Sequence, residues 1–597
     1  MLASLRAAPT LCLSKRRYRN GFCCRASTLQ SNANGDRNST NNNGKNKKKI
    51  VVVGSGWAGL GAAHHLSKQG FDVTVLDDGN GFGSPDDISM QGFWYPFRNI
   101  FSLVDELGIK PFTGWMKSAQ YSEEGLEVEF PIFQDLNQLP TPLGTLFYTQ
   151  FSRLPLVDRL TSLPLMAAVI DFDNTDVAWR KYDSITAREL FKQFGCSERL
   201  YRNVIGPLVQ VGLFAPAEQC SAAATLGILY FIVLAHQKNF DLVWCRGTLR
   251  EKIFEPWMDS MRTRGCEFLD GRRVTDFIYD EERCCISDVV CGKETYSAGA
   301  VVLAVGISTL QELIKNSILC NREEFLKVLN LASIDVVSVK LWFDKKVTVP
   351  NVSNACSGFG DSLAWTFFDL NKIYDEHKDD SATVIQADFY HANQLMPLKD
   401  DQVVAKAVSY LSKCIKDFST ATVMDHKIRR FPKSLTHFFP GSYKYMMRGF
   451  TSFPNLFMAG DWITTRHGSW SQVTFKLFPF PSRGLMSPDS KLPTGWSTIL
   501  EMEAFLKLFQ WRKMNLTLKH CAPSTEDLMK SERSFLYQIT SFSEPIIEYE
   551  DFLRQYQYTY QSSVFIATTL LNCCIDIKDA STGFVHKVLK YRLINTE

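Results

Sequence analysis

Apolar and polar positions along this chain fall into patterns that predict alternating strands and helices. Ile50-Val51-Val52-Val53 is an unbroken β-branched run, the signature of a strand covered on both faces in a parallel sheet. It leads into Gly54-Ser55-Gly56-Trp57-Ala58-Gly59 and then Leu60-Gly61-Ala62-Ala63-His64-His65-Leu66, small and apolar residues at helical spacing. A second strand follows at Asp72-Val73-Thr74-Val75-Leu76. Farther along, Ile334-Asp335-Val336-Val337-Ser338-Val339-Lys340-Leu341-Trp342-Phe343 reads as a strand with imperfect alternation. Two apolar stretches, residues 154–170 and 222–235, read as helices that either fill a core or line a tunnel and lie on a membrane surface. The second is 14 residues long, short of the roughly 18 to 20 that cross a bilayer, so no transmembrane segment is expected.

The strand, glycine turn and helix arrive in the order a dinucleotide site requires. Gly54 permits the tight turn, Gly56 admits a pyrophosphate to the backbone, and Gly59 lets the helix pack on the strand. The helix N-terminus then presents free N–H groups to the phosphates. Asp77 closes the second strand 23 residues after Gly54, where a carboxylate accepts from ribose hydroxyls.

Composition is that of a globular chain: 597 residues, 45% hydrophobic and 22% charged. The net charge of +3 comes from 66 bases and 63 acids, a balance that argues against nucleic-acid binding. The distribution is uneven, however. Residues 1–49 carry eleven bases and one acid, Asp36, and lack the apolar centre of a secretory signal, which fits an organellar transit peptide followed by a polar spacer. A basic tail that stays attached is the alternative. The remaining residues are net acidic. Sixteen cysteines include no CxxC pair and no zinc-holding Cys/His spacing, so no metal is expected. No Ser/His/Asp or Cys/His constellation supports hydrolysis.

Later segments carry a family resemblance. Gly247-Thr248-Leu249, Arg273-Val274-Thr275-Asp276-Phe277-Ile278, Ala300-Val301-Val302-Leu303-Ala304-Val305 and Asn455-Leu456-Phe457-Met458-Ala459-Gly460-Asp461 resemble, in order, the landmarks of the flavin-containing amine oxidoreductases. Within them, Gly92-Phe93-Trp94-Tyr95-Pro96-Phe97-Arg98-Asn99, Lys340-Leu341-Trp342-Phe343-Asp344 and Thr451-Ser452-Phe453-Pro454 are most similar to plant and cyanobacterial phytoene and zeta-carotene desaturases. The resemblance implies an α/β fold: a Rossmann-like FAD-binding domain built from discontinuous segments, with an inserted mixed-sheet and helical substrate domain. The expected segments are transit peptide and spacer 1–49, FAD-binding 50–130, 241–330 and 431–472, substrate or cap 131–240 and 331–430, and an atypical C-terminal region 473–597.

The implied cofactor is FAD, held by Gly54, Ser55, Gly56, Trp57, Ala58, Gly59, Asp77, Asp78, Gly83, Ser84, Val274, Gly460 and Asp461. Lys340 falls where amine oxidases hold a water over the flavin, which makes it the candidate catalytic residue; a lysine on a half-exposed strand is the alternative. Two departures stand out. Gly83-Ser84-Pro85 replaces the usual Gly-Gly-Arg, removing a phosphate partner for which Arg98 is a candidate substitute. After His467-Gly468-Ser469-Trp470-Ser471-Gln472 the text does not begin the expected flavin-facing helix, for which residues 495–508 are a possible replacement.

The implied activity is hydride transfer from a hydrophobic, isoprenoid-like small molecule to FAD, with a quinone or oxygen as electron acceptor, possible peripheral membrane contact and a plastid location. Amine oxidation, redox-neutral carotenoid isomerisation, or a binding protein of the same descent are the alternatives.

Overall fold

A computed structural model describes residues 48–79, 82, 90–139, 143–172, 175–233, 237–359 and 363–464. Residues 1–47 of the expected leader and spacer (1–49), the departure at Gly83 and Ser84, and the C-terminal region 473–597 lie outside these residues; Lys49 already belongs to the first strand.

The strand Lys49–Val53 forms because its β-branched run is buried from both sides. Ile50 and Val52 pack with the helix Trp57–Lys68, whereas Val51 and Val53 pack with the helix Ile307–Asn316 and a small antiparallel sheet over residues 276–297. This strand is the centre of a five-stranded sheet, all of whose pairings are parallel. On one side lie Ala300–Leu303 and then Leu456–Met458; on the other, Asp72–Leu76 and then Glu267–Leu269. Three distant parts of the chain therefore build one sheet, as the resemblance implied.

A second, eight-stranded mixed sheet is supported on one face by the helix Asp400–Cys414, through Val403, Ala407, Tyr410 and Leu411. Its other face is partly covered by short helices that include Leu165–Phe172, Gly206–Leu213 and Ala222–Val233. A π-helical turn at Tyr201–Ile205 runs into Gly206–Leu213, where Pro207 cannot donate the next backbone hydrogen bond. Among the described residues no helix is long and apolar enough to cross a membrane.

The pairing moves two expected segment boundaries. Strands Ser118–Ser122 and Gly125–Phe130, which fall in the expected FAD-binding segment 50–130, belong to the eight-stranded sheet. Val423–His437 crosses the expected boundary at 430 because it pairs along Ala332–Phe343 to His437. The hydrophobic pattern marks a strand without saying which sheet it will join.

One histidine of the nucleotide-side helix is tied into the core. His64 Nδ1 accepts from the Trp257 indole N–H at 3.0 Å and lies 3.1 Å from the Arg264 guanidinium. Burial, helped by His65 and Arg264 and opposed by Glu106, lowers its pKa to about 4. The unfolded chain therefore binds this proton first, and stability falls as pH drops from about 6.5 toward 4. Unfolding free energies from urea titrations across that window are expected to decline by about 3 kcal/mol from this group, and less steeply in His64→Gln.

Candidate active site

The carboxyl ends of the parallel strands open onto a cavity of about 930 Å³, the place where open α/β sheets bind ligands. One end is lined by Gly54, Ser55, Gly56, Trp57 and Ala58, by Asp77 and Asp78, and by Val274, Gly460 and Asp461. The opposite end is apolar. Met166, Val169, Leu208, Ile228 and Leu229 reach it from the helices, Leu163 from the turn before Leu165–Phe172, and Phe368, Tyr390 and Leu435 from the eight-stranded sheet. Of the expected cofactor set, every described residue except Gly59 lines this cavity; Gly83 and Ser84 lie outside the described residues.

The three glycines have different physical roles. Gly54 has φ +99°, and a Cβ there would sit 2.4 Å from the Ala304 carbonyl oxygen. A Cβ on Gly59 would lie 1.8 Å from the Gly54 carbonyl oxygen, so Gly59 is the contact of helix with turn. Gly56 has nothing within 4 Å of such an atom and faces open cavity. It is also the N-cap of Trp57–Lys68, and no side chain caps that terminus. Open backbone at an uncapped helix start is what a pyrophosphate needs.

Asp77 is almost wholly buried. Burial pushes its carboxyl above the ordinary range, while the hydrogen bond from the Ser55 hydroxyl opposes the shift. Its backbone is held on both sides, its N–H donating to Leu269 O at 3.0 Å and its carbonyl accepting from Arg272 N at 2.6 Å. Burial raises Asp461 in the same sense, opposed by hydrogen bonds around Thr436 and Trp462. Gly460 sits tightly against the Trp462 ring, which donates to Val305 O at 2.8 Å.

Lys340 requires a correction. It stands on the cavity-side face of its strand, paired with Gln386, yet it does not line the cavity. Tyr374 and Glu376 lie over it: Nζ is 3.4 Å from Glu376 Oε1, 5.5 Å from the Tyr374 ring centre and 5.2 Å from that of Trp342. This is a structural ion pair on aromatic rings. Arg98 is exposed and stacks on Tyr95, and it does not line the cavity either.

Sequence reasoning missed Arg272 and Arg273 at the nucleotide end, and Gly306, Ser308 and Thr309 at the start of Ile307–Asn316, a second helix without a side-chain cap. The signals were Arg272-Arg273 directly before Val274, and a glycine between strand and helix at Gly306. Arg272 is paired with Glu294 at 2.7 Å and Arg273 with Glu312 at 2.7 Å. At the apolar end, Phe214 holds φ 61° and meets Tyr390 with ring centres 5.0 Å apart. No group of described His, Cys, Asp or Glu residues is arranged to hold a metal.

A parallel sheet with this glycine turn, acidic strand end and cavity defines a dinucleotide-binding α/β protein. More narrowly, the chain belongs to the flavin containing amine oxidoreductases, whose family pattern matches residues 57–470. It is an FAD-dependent oxidoreductase, and the residues around the glycine turn fit that cofactor. It is similar to the chloroplastic/chromoplastic 15-cis-phytoene desaturase of Arabidopsis thaliana, 20% identical over 440 residues, covering 70% of this chain and 76% of that one. It is likewise similar to the zeta-carotene desaturase of Synechocystis sp., 21% identical over 453 residues, covering 69% and 92%. Among solved structures, cyclohexylamine oxidase from Brevibacterium oxydans shares the fold, with TM-score 0.55, 13% identity and coverage of 72% and 98%.

The glycines make a paired prediction. Gly54→Ala is expected to lower the melting temperature of the apoprotein, because both its φ and its contact with Ala304 must be strained. Gly56→Ala is expected to keep that melting temperature and lose at least about tenfold in affinity for ADP by calorimetry, since its new methyl occupies the pyrophosphate's path.

Proposed function

We propose that the chain oxidises an apolar, isoprenoid-like substrate in a plastid, passing a hydride to FAD and then electrons to a quinone or oxygen. One observation carries this reading: the cavity that begins at the glycine turn ends in a pocket walled by Leu, Ile, Val, Met and Phe side chains from both helices and sheet. The two desaturases compared above and the basic character of residues 1–49 support the substrate class and the location.

Bound FAD supplies the hydride acceptor. The chain supplies the rest. Gly56 and the start of Trp57–Lys68 would hold the diphosphate, Asp77 would accept from the ribose, Val274 would meet the adenine through its backbone, and Gly460 and Asp461 would meet the ribityl chain; all of these residues line the cavity. The apolar walls orient an extended substrate and exclude water.

The approach to the pocket suits a substrate delivered from a lipid surface. Phe147, Leu156, Val157, Leu160 and Val177 are exposed on the short helices, and Leu146, Ser162 and Leu163 beside them line the cavity. Exposed apolar side chains of this kind bind a membrane peripherally.

Purified protein is expected to be yellow with FAD, and the flavin to bleach anaerobically with a C40 polyene and not with alkylamines; the reverse preference refutes the substrate class. Lys340→Met is expected to leave that bleaching rate within about twofold of wild type, since its ammonium is already engaged by Glu376. Val157→Asp is expected to reduce co-flotation with galactolipid vesicles without changing the flavin spectrum.

A further inference from the structure

The cavity floor contains polar side chains that a pure hydrocarbon does not explain. Gln120 pairs across the sheet with Ala355, Ala355 with Thr366, Thr366 with Asp388, and Asp388 with Ser338. Residues paired in this way point to the same face of a sheet. Gln120 is 1% exposed and Thr366 3% exposed, and both line the cavity. Among the described residues, neither amide atom of Gln120 nor the Thr366 hydroxyl has a hydrogen-bond partner. The indole N–H of Trp244, another buried lining residue, is also without one. Native proteins leave few such groups unpaired, because each has lost its water without compensation.

The geometry points to a shared partner. Gln120 and Thr366 stand two strands apart, about 10 Å between backbones, with only the Ala355 methyl between them. Both residues line the cavity on either side of that notch. The rest of the row is engaged: Ser338 Oγ donates to Asp388 Oδ1 at 2.7 Å, Gln386 Nε2 to the same oxygen at 3.0 Å, and Met90 N to Oδ2 at 2.7 Å.

The unpartnered groups carry no net charge, and they include donors and acceptors. A substrate cation finds its lining carboxylates, Asp77, Asp78 and Asp461, at the nucleotide end. A substrate anion finds Arg430 already paired with Asp400 at 2.7 Å. A neutral oxygen meets both requirements: it accepts from the Gln120 amide or the Trp244 indole and exchanges a hydrogen bond with Thr366.

We propose that Gln120 and Thr366, with the Trp244 indole, form a subsite for one neutral oxygen, hydroxyl or carbonyl, on an otherwise apolar isoprenoid substrate. This rests on the apolar-substrate reading above and narrows it from hydrocarbons to oxygenated isoprenoids. A site built to pair with such an oxygen rejects the analogue lacking it, since the buried groups then stay unpaired.

The test uses the full FAD-loaded chain and three C40 polyenes that differ by one oxygen: β-carotene, β-cryptoxanthin with one hydroxyl, and echinenone with one carbonyl. Binding is read by quenching of tryptophan fluorescence in detergent. At least one oxygenated probe is expected to bind at least about tenfold tighter than β-carotene. Gln120→Leu and Thr366→Val are each expected to remove most of that preference without weakening β-carotene. Gln120→Leu is further expected to keep or raise the melting temperature, because it removes an unpaired buried amide; should it fail to fold, Thr366→Val alone decides. Equal wild-type affinity for all three probes, or a preference that survives in the folded variants, overturns the subsite and leaves the apolar-substrate reading standing. Failure of all three to bind overturns both.

Discussion

The contact between Gly59 and the Gly54 carbonyl, which leaves no room for a side-chain atom, is the constraint from which the rest of the site follows. It presses the first helix onto the strand that precedes it, and so fixes the angle at which the helix start faces the cavity. Gly54 meets Ala304 from the other side, which ties the turn to a strand supplied some 250 residues later. A third segment completes the sheet through Leu456–Met458 and delivers Gly460 and Asp461. Tight backbone packing in one place thus assembles residues from three regions around one ligand.

The second sheet solves a different problem. One of its faces is closed by Asp400–Cys414 over a large apolar cluster. The opposite face combines apolar residues with a polar row, and on that face the coverage differs from strand to strand. Where Tyr374 and Glu376 lie over it, Lys340 is absorbed into an ion pair; elsewhere on it, Gln120 and Thr366 line the cavity, buried and without a hydrogen-bond partner among the described residues. Side chains on the same sheet face therefore have opposite fates, decided by what packs above them. Desolvation works similarly on Asp77 and Asp461, whose carboxyls are both raised by burial while neighbouring hydrogen bonds hold them back.

The fold was more legible in the sequence than the substrate side of the site. Ile50 to Val53 could be read because a strand buried on both faces needs an unbroken β-branched run, and the glycine turn because each glycine answers to a local steric demand. Lys340 could not be placed, since alternation assigns a residue to a sheet face and is silent about its cover. Residues 118–130 were assigned to the wrong sheet for a related reason: strand pairing is a long-range choice. Gln120 and Thr366 gave no signal at all, because each is an ordinary polar residue until the register sets them on either side of Ala355.

The sequence by itself determined the dinucleotide-binding strand, turn and helix, the acidic end of the second strand, the order of the family landmarks and the contrast between a basic N-terminal stretch and an acidic remainder. These features are local, and their physics is contained in a few consecutive residues. Only the tertiary structure decided that one cavity joins the glycine turn to an apolar pocket, that Lys340 is shielded from it, and which polar side chains remain unpaired on its floor. Burial and partnership are properties of residues far apart in the chain, and no local pattern records them.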